Sequence, residues 1–474
     1  MSKLFVFAIG GTGSRVIRSA VMLMTSGVKI NTHQIIPIII DPDNGNNDLN
    51  RALASLNSYK GIKSQFPDKE SGFFANTIDN ILSDTDPYRM NLRGVDDKKF
   101  KDYIGYNTLD SNNKAFSELL FSDYHLNLDM QVGFKGNPNL GSVVLNQFQQ
   151  INDFKTFALN FAQGDRIFII SSIHGGTGAA GFPLLIKNLL NMDSSLPNSQ
   201  LIQKAPIGAV TVLPYFKLQA GEIKSEDFVS KTKAALEYYK DNLNPVLNSL
   251  YYIGYKDHTK SYENNPGGNK QKNPAHFVEL AAALAMHDFM DQNDNAIQAK
   301  GQRFMEFGIP GIDDSIDFDA LGESVKNIMF KPLSKFMLMS KFLDLHLEQS
   351  IVSQPWGVRG SKDVKLGVDF LHTDFVSQLK KHNALFKEWL SELQDNSPSL
   401  SLFQSAANKD EMKNLIRNKP MKKASKRMEN FTLFDHTLNG VVKEKGISDI
   451  LNKDEKFLRI MDAATEEMIV KYIN

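Results

Sequence analysis

SSIHGGTGAAGF, residues 171–182, contains four glycines and a threonine and no lysine or arginine. The apolar segment DRIFIIS (165–171) precedes the glycines, and apolar residues at helical spacing follow them, which predicts a strand, a tight loop and a helix. Glycine lets backbone N–H groups approach oxygens closely, and the helix offers the positive end of its dipole. The stretch therefore predicts either a phosphate-binding loop or a tight strand-to-helix turn without a ligand.

A second loop of the same kind lies near the N-terminus. AIGGTGSRV (8–16) follows the apolar segment KLFVFAI (3–9), and apolar residues then recur at helical spacing as far as Thr25-Ser26-Gly27. Further strands are predicted at QIIPIII (34–40), IGAVTVL (207–213) and SLYYIGY (249–255), with helices between them.

This alternation predicts an α/β fold with a parallel sheet covered by helices on both faces, followed by a mostly helical C-terminal region. Loops that follow different strands of such a sheet open at one edge. We therefore expect the two glycine loops to meet at a single ligand.

The composition excludes several classes of function. The chain has 474 residues, with 54 Lys+Arg, 54 Asp+Glu and no cysteine. Disulfides, cysteine-bound zinc and thiol nucleophiles are excluded, and the charge balance does not indicate nucleic acid as a partner. The run IIPIII is too short to span a membrane, so we expect a cytoplasmic protein. The basic segment 413–427 is interpreted as a solvated surface rather than a nucleic-acid site.

Two familiar nucleotide motifs fit incompletely. A P-loop needs a Gly-Lys pair, which is absent from the chain. A dinucleotide fold needs three spaced glycines and an acid after the next strand. Residues 176–181 have the glycines, but the next strand ends in Leu213-Pro214, whereas the N-terminal loop has Asp41 but carries Val16 at the third glycine position. An NAD(P)-dependent oxidoreductase stays open as an alternative.

The order of several motifs over residues 1–322 resembles the tubulin/FtsZ family, and the closest subgroup is the divergent bacterial tubulin-like proteins. GGTGAAGFPLL (175–185) is similar to the family's glycine-rich signature loop, with His174 in place of its first glycine. GGTGSR (10–15), DPDNGN (41–46) and GFKGNPNLGS (133–142) resemble three further nucleotide loops, the last of which faces the terminal phosphate. The helix from Asn273 would be the central helix that touches the base.

This resemblance implies GTP or GDP with Mg²⁺ as cofactors, and no protein-bound metal of its own. The implied nucleotide-binding residues are Gly10, Gly11, Thr12, Gly13, Ser14, Asp41, Asp43, Gly136, Asn137, Pro138, Gly175, Gly176, Thr177, Gly178, Ala179, Glu222, Tyr255 and Asn273. Of these, Glu222 is the candidate for the ribose-contacting acid. Tyr255 stands where the family has a base-contacting asparagine, and it could stack on a purine instead.

Family members hydrolyse GTP where two subunits meet, because acids of one subunit reach the nucleotide of the next. GIDDSIDFDALGES (311–324) resembles the acidic loop that does this, which implies catalytic roles for Asp314, Asp317 and Asp319. Ser315 replaces the family's asparagine, and Ala320 stands at the position of its second acid. The alternative is a solvated acidic turn that caps a helix.

These features predict a GTP-binding, self-assembling GTPase that forms head-to-tail filaments. A nucleotide-gated interaction protein that does not polymerise is the other alternative. The expected domains are a nucleotide-binding domain over 1–272 with an insertion at 50–130, a central helix and acidic loop over 273–322, and a helical region over 323–474 that could bind a protein partner.

Overall fold

The computed structural model of the chain describes residues 2–66, 72–83, 85–95, 98–130, 133–219, 225–255, 261–263, 267–298, 315–359, 365–404, 412–422, 430–444 and 446–473. Its strands are β1 (Lys3–Ile9), β2 (Gln34–Ile40), β3 (Thr77–Ile78), β4 (Arg166–Ser172), β5 (Ile207–Val212), β6 (Lys217–Leu218), β7 (Ser249–Ile253), β8 (Ser261–Tyr262), β9 (Ser315–Ile316) and β10 (Ser399–Leu400).

The helices of the first 300 residues are α1 (Gly10–Ser26), α2 (Asn47–Lys63), α3 (Phe100–Tyr103), α4 (Ser111–Leu120), α5 (Asp123–Leu126), α6 (Pro138–Leu145), α7 (Asn152–Asn160), α8 (Gly176–Leu190), α9 (Ser199–Gln203), α10 (Ser225–Asn242), α11 (Phe277–Asp291) and α12 (Asp294–Gln298). The helices of the C-terminal region are α13 (Glu323–Leu345), α14 (Leu347–Ser353), α15 (Pro355–Val358), α16 (Gly367–Phe370), α17 (Asp374–Gln394), α18 (Asn430–Val441) and α19 (Lys453–Tyr472).

The main sheet has six strands in the order β3-β2-β1-β4-β5-β7, and every neighbouring pair is parallel. The predicted parallel-sheet α/β fold and its mostly helical C-terminal region are therefore confirmed. The chain leaves β1 toward β2 on one side and returns to β4 on the other. This reversal opens a crevice at the carboxyl ends of β1 and β4, which is where ligands bind in open α/β sheets.

The alternating side chains of β1 divide the core into two layers. Leu4, Val6 and Ala8 are buried in a layer with α1, α11 and the C-terminal helices, whereas Phe5, Phe7 and Ile9 are buried in a layer with α6, α7 and α8. Helices α1 and α8 consequently lie on opposite faces of the sheet, although both begin at the same edge.

The boundaries of some elements differ from the sequence-based expectation. Helices α1 and α8 begin within the glycines rather than after them, and Pro183 lies inside α8 instead of in its first turn. Glycine carries no β-carbon, so each helix can start directly against the sheet without a spacer. The segment 73–82, which has a helical pattern, instead supplies edge strand β3 beside β2.

His382 joins the C-terminal region to the sheet layer. Its ring is fully buried and bonds to Thr25 Oγ1 at 2.7 Å and to Ser58 Oγ at 3.0 Å. Burial lowers the pKa of His382 to about 3. The unfolded chain therefore protonates this histidine near pH 6.5, whereas the folded chain protonates it only near pH 3. The free energy of unfolding consequently falls as the pH drops from 6.5 toward 3.

We expect the free energy of unfolding to fall between pH 7 and pH 5 by about 2 kcal/mol more in the parent than in His382→Gln, because each pH unit below the unfolded pKa of 6.5 is worth about 1.4 kcal/mol. Urea unfolding at the two pH values measures the difference. Equal pH dependence in both proteins would contradict the assignment of a neutral, buried ring.

Candidate functional site

A cleft lies at the carboxyl edge of the sheet, where β1 and β4 end. It holds about 890 Å³ of space not filled by protein atoms, part of it open to solvent. Its lining includes Gly10, Gly11, Thr12, Arg15, Asp41, Asp43, Asn46, Lys135, Gly136, His174, Gly175, Gly176, Thr177, Gly178, Phe216, Phe228, Gln271 and Asn273.

Two helix N-termini point into this cleft. No described side chain caps α1 or α8, so the first N–H groups of each helix have no partner within the helix or from a cap. A β-carbon added to Gly10, whose φ is +71°, would lie 3.4 Å from the Thr177 β-carbon. The two glycine loops thus touch, and their dipoles create one anion-binding site.

A third loop, residues 133–137, closes on the second glycine loop. A β-carbon on Gly176 would lie 3.0 Å from the backbone nitrogen of Gly136 and 3.1 Å from that of Asn137. Asn137 is the residue before α6, and its side-chain amide donates to the Lys135 carbonyl. Only a residue without a side chain fits at Gly176, because the backbone of the third loop occupies that space.

Two acids face the cleft from the loop after β2. Asp41 is 3% exposed, accepts from the backbone N–H of Asp43 and from Asn46, and has its pKa raised to about 7 by burial. Asp43 accepts from the backbone N–H groups of Gly45 and Gly268, and burial raises its pKa as well. Among the described residues no group of three or more acids and histidines could hold a metal by itself.

A buried ionic cluster lies beneath the first glycine loop. Arg15 of α1 donates to Asp48 of α2 at 2.7 Å, to Glu279 of α11 and to Thr12 Oγ1 at 3.2 Å. Tyr215 contacts both Arg15 and Glu279. The cluster therefore fixes the start of three helices relative to the loop that opens the cleft.

Part of the lining is aromatic. Phe216 and Phe228 contribute to it, and the ring of His174, the residue before the second glycine loop, lies 4.8 Å from Phe228 and 5.7 Å from Phe216 between ring centres. A cleft that combines uncapped N–H groups with aromatic rings suits a ligand with a charged end and a planar ring.

The structure brings most of the predicted nucleotide-binding residues into the lining of this cleft. The exceptions have other positions: Gly13 packs on Ala8, Ser14 donates to the Gly10 carbonyl, Asn137 precedes α6 outside the lining, Ala179 lies inside α8, Pro138 begins α6, and Tyr255 packs on His276 and Phe277. Glu222 and Asp314 lie outside the described residues.

Sequence reasoning missed Arg15, Lys135 and Gln271 as lining residues. The signal for Arg15 was present, since Arg15 and Arg18 are the charged residues of an otherwise uncharged helix, and buried arginines need partners. Lys135 lies in the loop 133–142, which the motif order had already assigned to the nucleotide, whereas nothing local marks Gln271.

The predicted catalytic acids form local contacts away from the cleft lining. Asp317 accepts from the backbone N–H groups of Asp319 and Ala320 and from Asn418. Asp319 pairs with Lys326 and Lys419, and the bond to Lys326 lowers its pKa. This arrangement fits the alternative of an acidic turn as well as it fits an acid loop directed at a second subunit.

Gly178 maintains the packing of α8 on β4. A β-carbon there would lie 2.8 Å from the Ser172 carbonyl oxygen and 2.9 Å from its nitrogen, and backbone atoms cannot move aside cheaply. We expect Gly178→Ala to destabilise the ligand-free chain by about 1–3 kcal/mol. Thermal unfolding with Gly11→Ala as the matched control measures this, since the new methyl group of the control meets only side-chain ends. An unchanged melting temperature would contradict the packing role.

In the part of the chain that the structure describes, no helix combines the length and apolar character needed to cross a membrane. The fold and the cleft together define an α/β protein with a glycine-lined anion site at the carboxyl edge of a parallel sheet.

No protein-family model matches the chain, and neither does any curated protein. Among solved structures, it is similar to CetZ2 from Haloferax volcanii in a GTPγS-bound protofilament, with 13% identity over 62% of this chain and 61% of that chain and a TM-score of 0.30. It is also similar to CetZ1 from Haloferax volcanii as a GDP-bound monomer, with 12% identity over 55% and 54% of the two chains and a TM-score of 0.28.

A third similar structure is CetZ from Methanosaeta thermophila, with 12% identity over 54% of this chain and 46% of that chain and a TM-score of 0.27. The chain thus spans less than two thirds of the length of each of these structures. The function proposed below rests on the cleft itself and not on these similarities.

Proposed function

We propose that this chain binds a nucleoside triphosphate in the cleft, with its phosphates on the N-termini of α1 and α8. The observation that carries the proposal is the contact between the two glycine loops, because a β-carbon on Gly10 would lie 3.4 Å from that of Thr177. Two uncapped helix N-termini at one point favour a ligand with concentrated negative charge.

The residues present fit such a ligand. A β-carbon on Gly11 would lie 3.2 Å from the side-chain amides of Asn46 and Gln271, so the surface beside the first glycine loop is open only because residue 11 is glycine. Asp41 and Asp43 are the residues that would hold Mg²⁺ beside the phosphates. When bound, Mg²⁺ offsets the charge of the phosphates.

The identity of the nucleotide and the activity come from the resemblance in sequence. We propose GTP as the nucleotide and assign the chain to the tubulin/FtsZ superfamily, next to its divergent bacterial members, with a location in the cytoplasm. Head-to-tail contact between copies would bring Asp317 and its neighbours to the nucleotide of the next subunit, and the C-terminal helices would offer a surface to a partner.

A second candidate is an NAD(P)-dependent oxidoreductase, because the strand order is also that of dinucleotide-binding folds. Three loops around one point favour a compact triphosphate over a dinucleotide. Titration of the purified chain with GTP, ATP and NADH separates the two candidates. Binding of NADH without binding of either triphosphate would overturn the proposal.

Hydrolysis is tested by Asp317→Asn, which keeps an oxygen to accept from the backbone N–H groups of residues 319 and 320 while it removes the charge. We expect the affinity of the monomer for GTP to stay unchanged and turnover to fall by roughly 10²-fold, because a group that orients the attacking water is lost. Turnover per subunit in the parent should rise with protein concentration.

The matched control is Asp193→Asn, since Asp193 is an exposed acid that likewise accepts from a backbone N–H two residues further on. Phosphate release and light scattering over a concentration series provide both measurements. A rate per subunit that is independent of concentration, or equal in Asp317→Asn and the parent, would exclude this loop from catalysis.

A further inference from the structure

Lys135 has a backbone conformation that favours glycine. Its φ is +44°, and it lies in the third loop between Gly133 and Gly136, whose φ angles are +74° and +75°. A residue with a β-carbon is less stable in this left-handed region than in the right-handed one. Strained residues of this kind cluster at functional sites, where the side chain outweighs the strain.

The loop around Lys135 is fixed by its neighbours. Lys231 of α10 donates to the Gly136 carbonyl at 2.8 Å, and the Asn137 N–H donates to the Phe134 carbonyl at 2.8 Å. Phe134 is buried in the core layer that contains α6 and α8. These contacts set the position of Lys135, which belongs to the lining of the cleft together with residues of the second glycine loop.

Lys135 is one of several charged residues that line the cleft. Arg15 also lines the cleft, but its guanidinium is engaged by Asp48 and Glu279, so those two carboxylates already offset its charge. Three acids, Asp41, Asp43 and Glu263, belong to the same lining, and burial raises the pKa of Asp41 to about 7 and that of Asp43 as well. Lys135 is a second basic residue of this lining, and lysine ammonium groups bind phosphates through charge-assisted hydrogen bonds.

We propose that Lys135 is a phosphate-binding residue of the cleft, whose ammonium group contacts the phosphates held by α1 and α8. This inference rests on the proposed binding of a nucleoside triphosphate. Neither glycine loop contains a lysine, and Lys135 of the third loop would fill that role. It does so at a position where glycine would be less strained.

Three variants separate charge from strain. Lys135→Arg keeps both the charge and the strain, Lys135→Met keeps only the strain, and Lys135→Gly removes both. We expect Lys135→Met and Lys135→Gly to bind GTP at least about tenfold more weakly than the parent, and Lys135→Arg to bind it within about threefold. Binding of guanosine, which has no phosphates, should be the same in all four proteins.

Stability should follow a different order. Lys135→Gly should melt a few degrees (~1–3 °C) higher than Lys135→Met without ligand, because glycine relieves the backbone strain. Isothermal titration and thermal unfolding provide the two readouts. A variant that becomes more stable while it loses affinity for GTP is the expected signature.

Several results would overturn the inference while leaving the proposed function intact. One such result is that the parent binds GTP and the Lys135→Met variant binds it with the same affinity. Another is that the variants lose affinity for guanosine and for GTP by the same factor, which would mean that Lys135 only shapes the cleft. A Lys135→Gly variant less stable than Lys135→Met would contradict the strain at residue 135, because neither variant carries the ammonium group. A parent that binds no triphosphate at all would refute the proposed function itself.

Discussion

Gly11→Asp is expected to lower the affinity for GTP by about three orders of magnitude (~10³-fold) while the fold is retained. A β-carbon at Gly11 points toward the amides of Asn46 and Gln271, so the new carboxylate enters the cleft. A unit charge about 4 Å from a phosphate charge at the protein surface is worth roughly 4 kcal/mol of repulsion. The same carboxylate lies in the first turn of α1, where an acid stabilises a helix.

The matched control is Gly11→Asn, which has nearly the same size and shape without the charge. We expect it to weaken binding by about tenfold or less, because only its volume interferes. Titration with GTP measures affinity, and thermal unfolding of the ligand-free proteins measures the fold. If Gly11→Asp and Gly11→Asn lose affinity equally, electrostatic repulsion of phosphate is not the cause, and the assignment of the anion site to α1 is wrong.

Arg15→Met should produce the largest loss of stability, about 3–5 kcal/mol in the free energy of unfolding. The side chains of Asp48 and Glu279 are 0% and 1% exposed, so removal of Arg15 leaves two carboxylates buried with less compensation. Methionine preserves most of the volume, so the loss reports on charge rather than on a cavity. Binding of GTP should also weaken, because Thr12 loses its contact with Arg15.

Urea unfolding measures this loss, and Arg51→Met is the matched control. Arg51 also pairs with Asp48, but its side chain is 12% exposed and water can replace part of its contact. We expect the control to lose less than half as much stability. In the triple variant Arg15→Met, Asp48→Asn and Glu279→Gln, the neutral amides should recover part of the stability. A single variant within about 1 kcal/mol of the parent would show that the cluster contributes little.

Local sequence determined the layers of the fold. The runs 3–9, 34–40 and 165–171 are short, apolar and followed by glycine or acidic turns, so their strand character follows from the pattern alone. The alternation of such runs with helical spacing was enough to predict a parallel sheet, and hence a shared edge for the two glycine loops. The order of motifs also indicated which loops belong to the cleft.

The helix starts were harder to place, because the pattern does not distinguish a glycine loop from a glycine-rich first turn. The sequence also does not show what a β-carbon at each glycine would face. Gly11 faces the cleft, whereas Gly13 and Gly178, the last glycines of the two GGTG motifs, face the backbone of the preceding strands. The approach of neighbouring backbone decides this difference, and a sequence does not encode that approach locally.

The sequence by itself determined an α/β chain with two glycine loops at one sheet edge, since period and turn chemistry are properties of adjacent residues. Only the tertiary structure decided which charged side chains lie at that edge. Arg15 finds Asp48 and Glu279 across separations of 33 and 264 residues, and Lys135 reaches the cleft through a loop anchored by Lys231. The pairing of buried charges that are distant in the sequence depends on how the helices pack. A buried charge loses its hydration, so it is stable only where packing brings an opposite charge beside it.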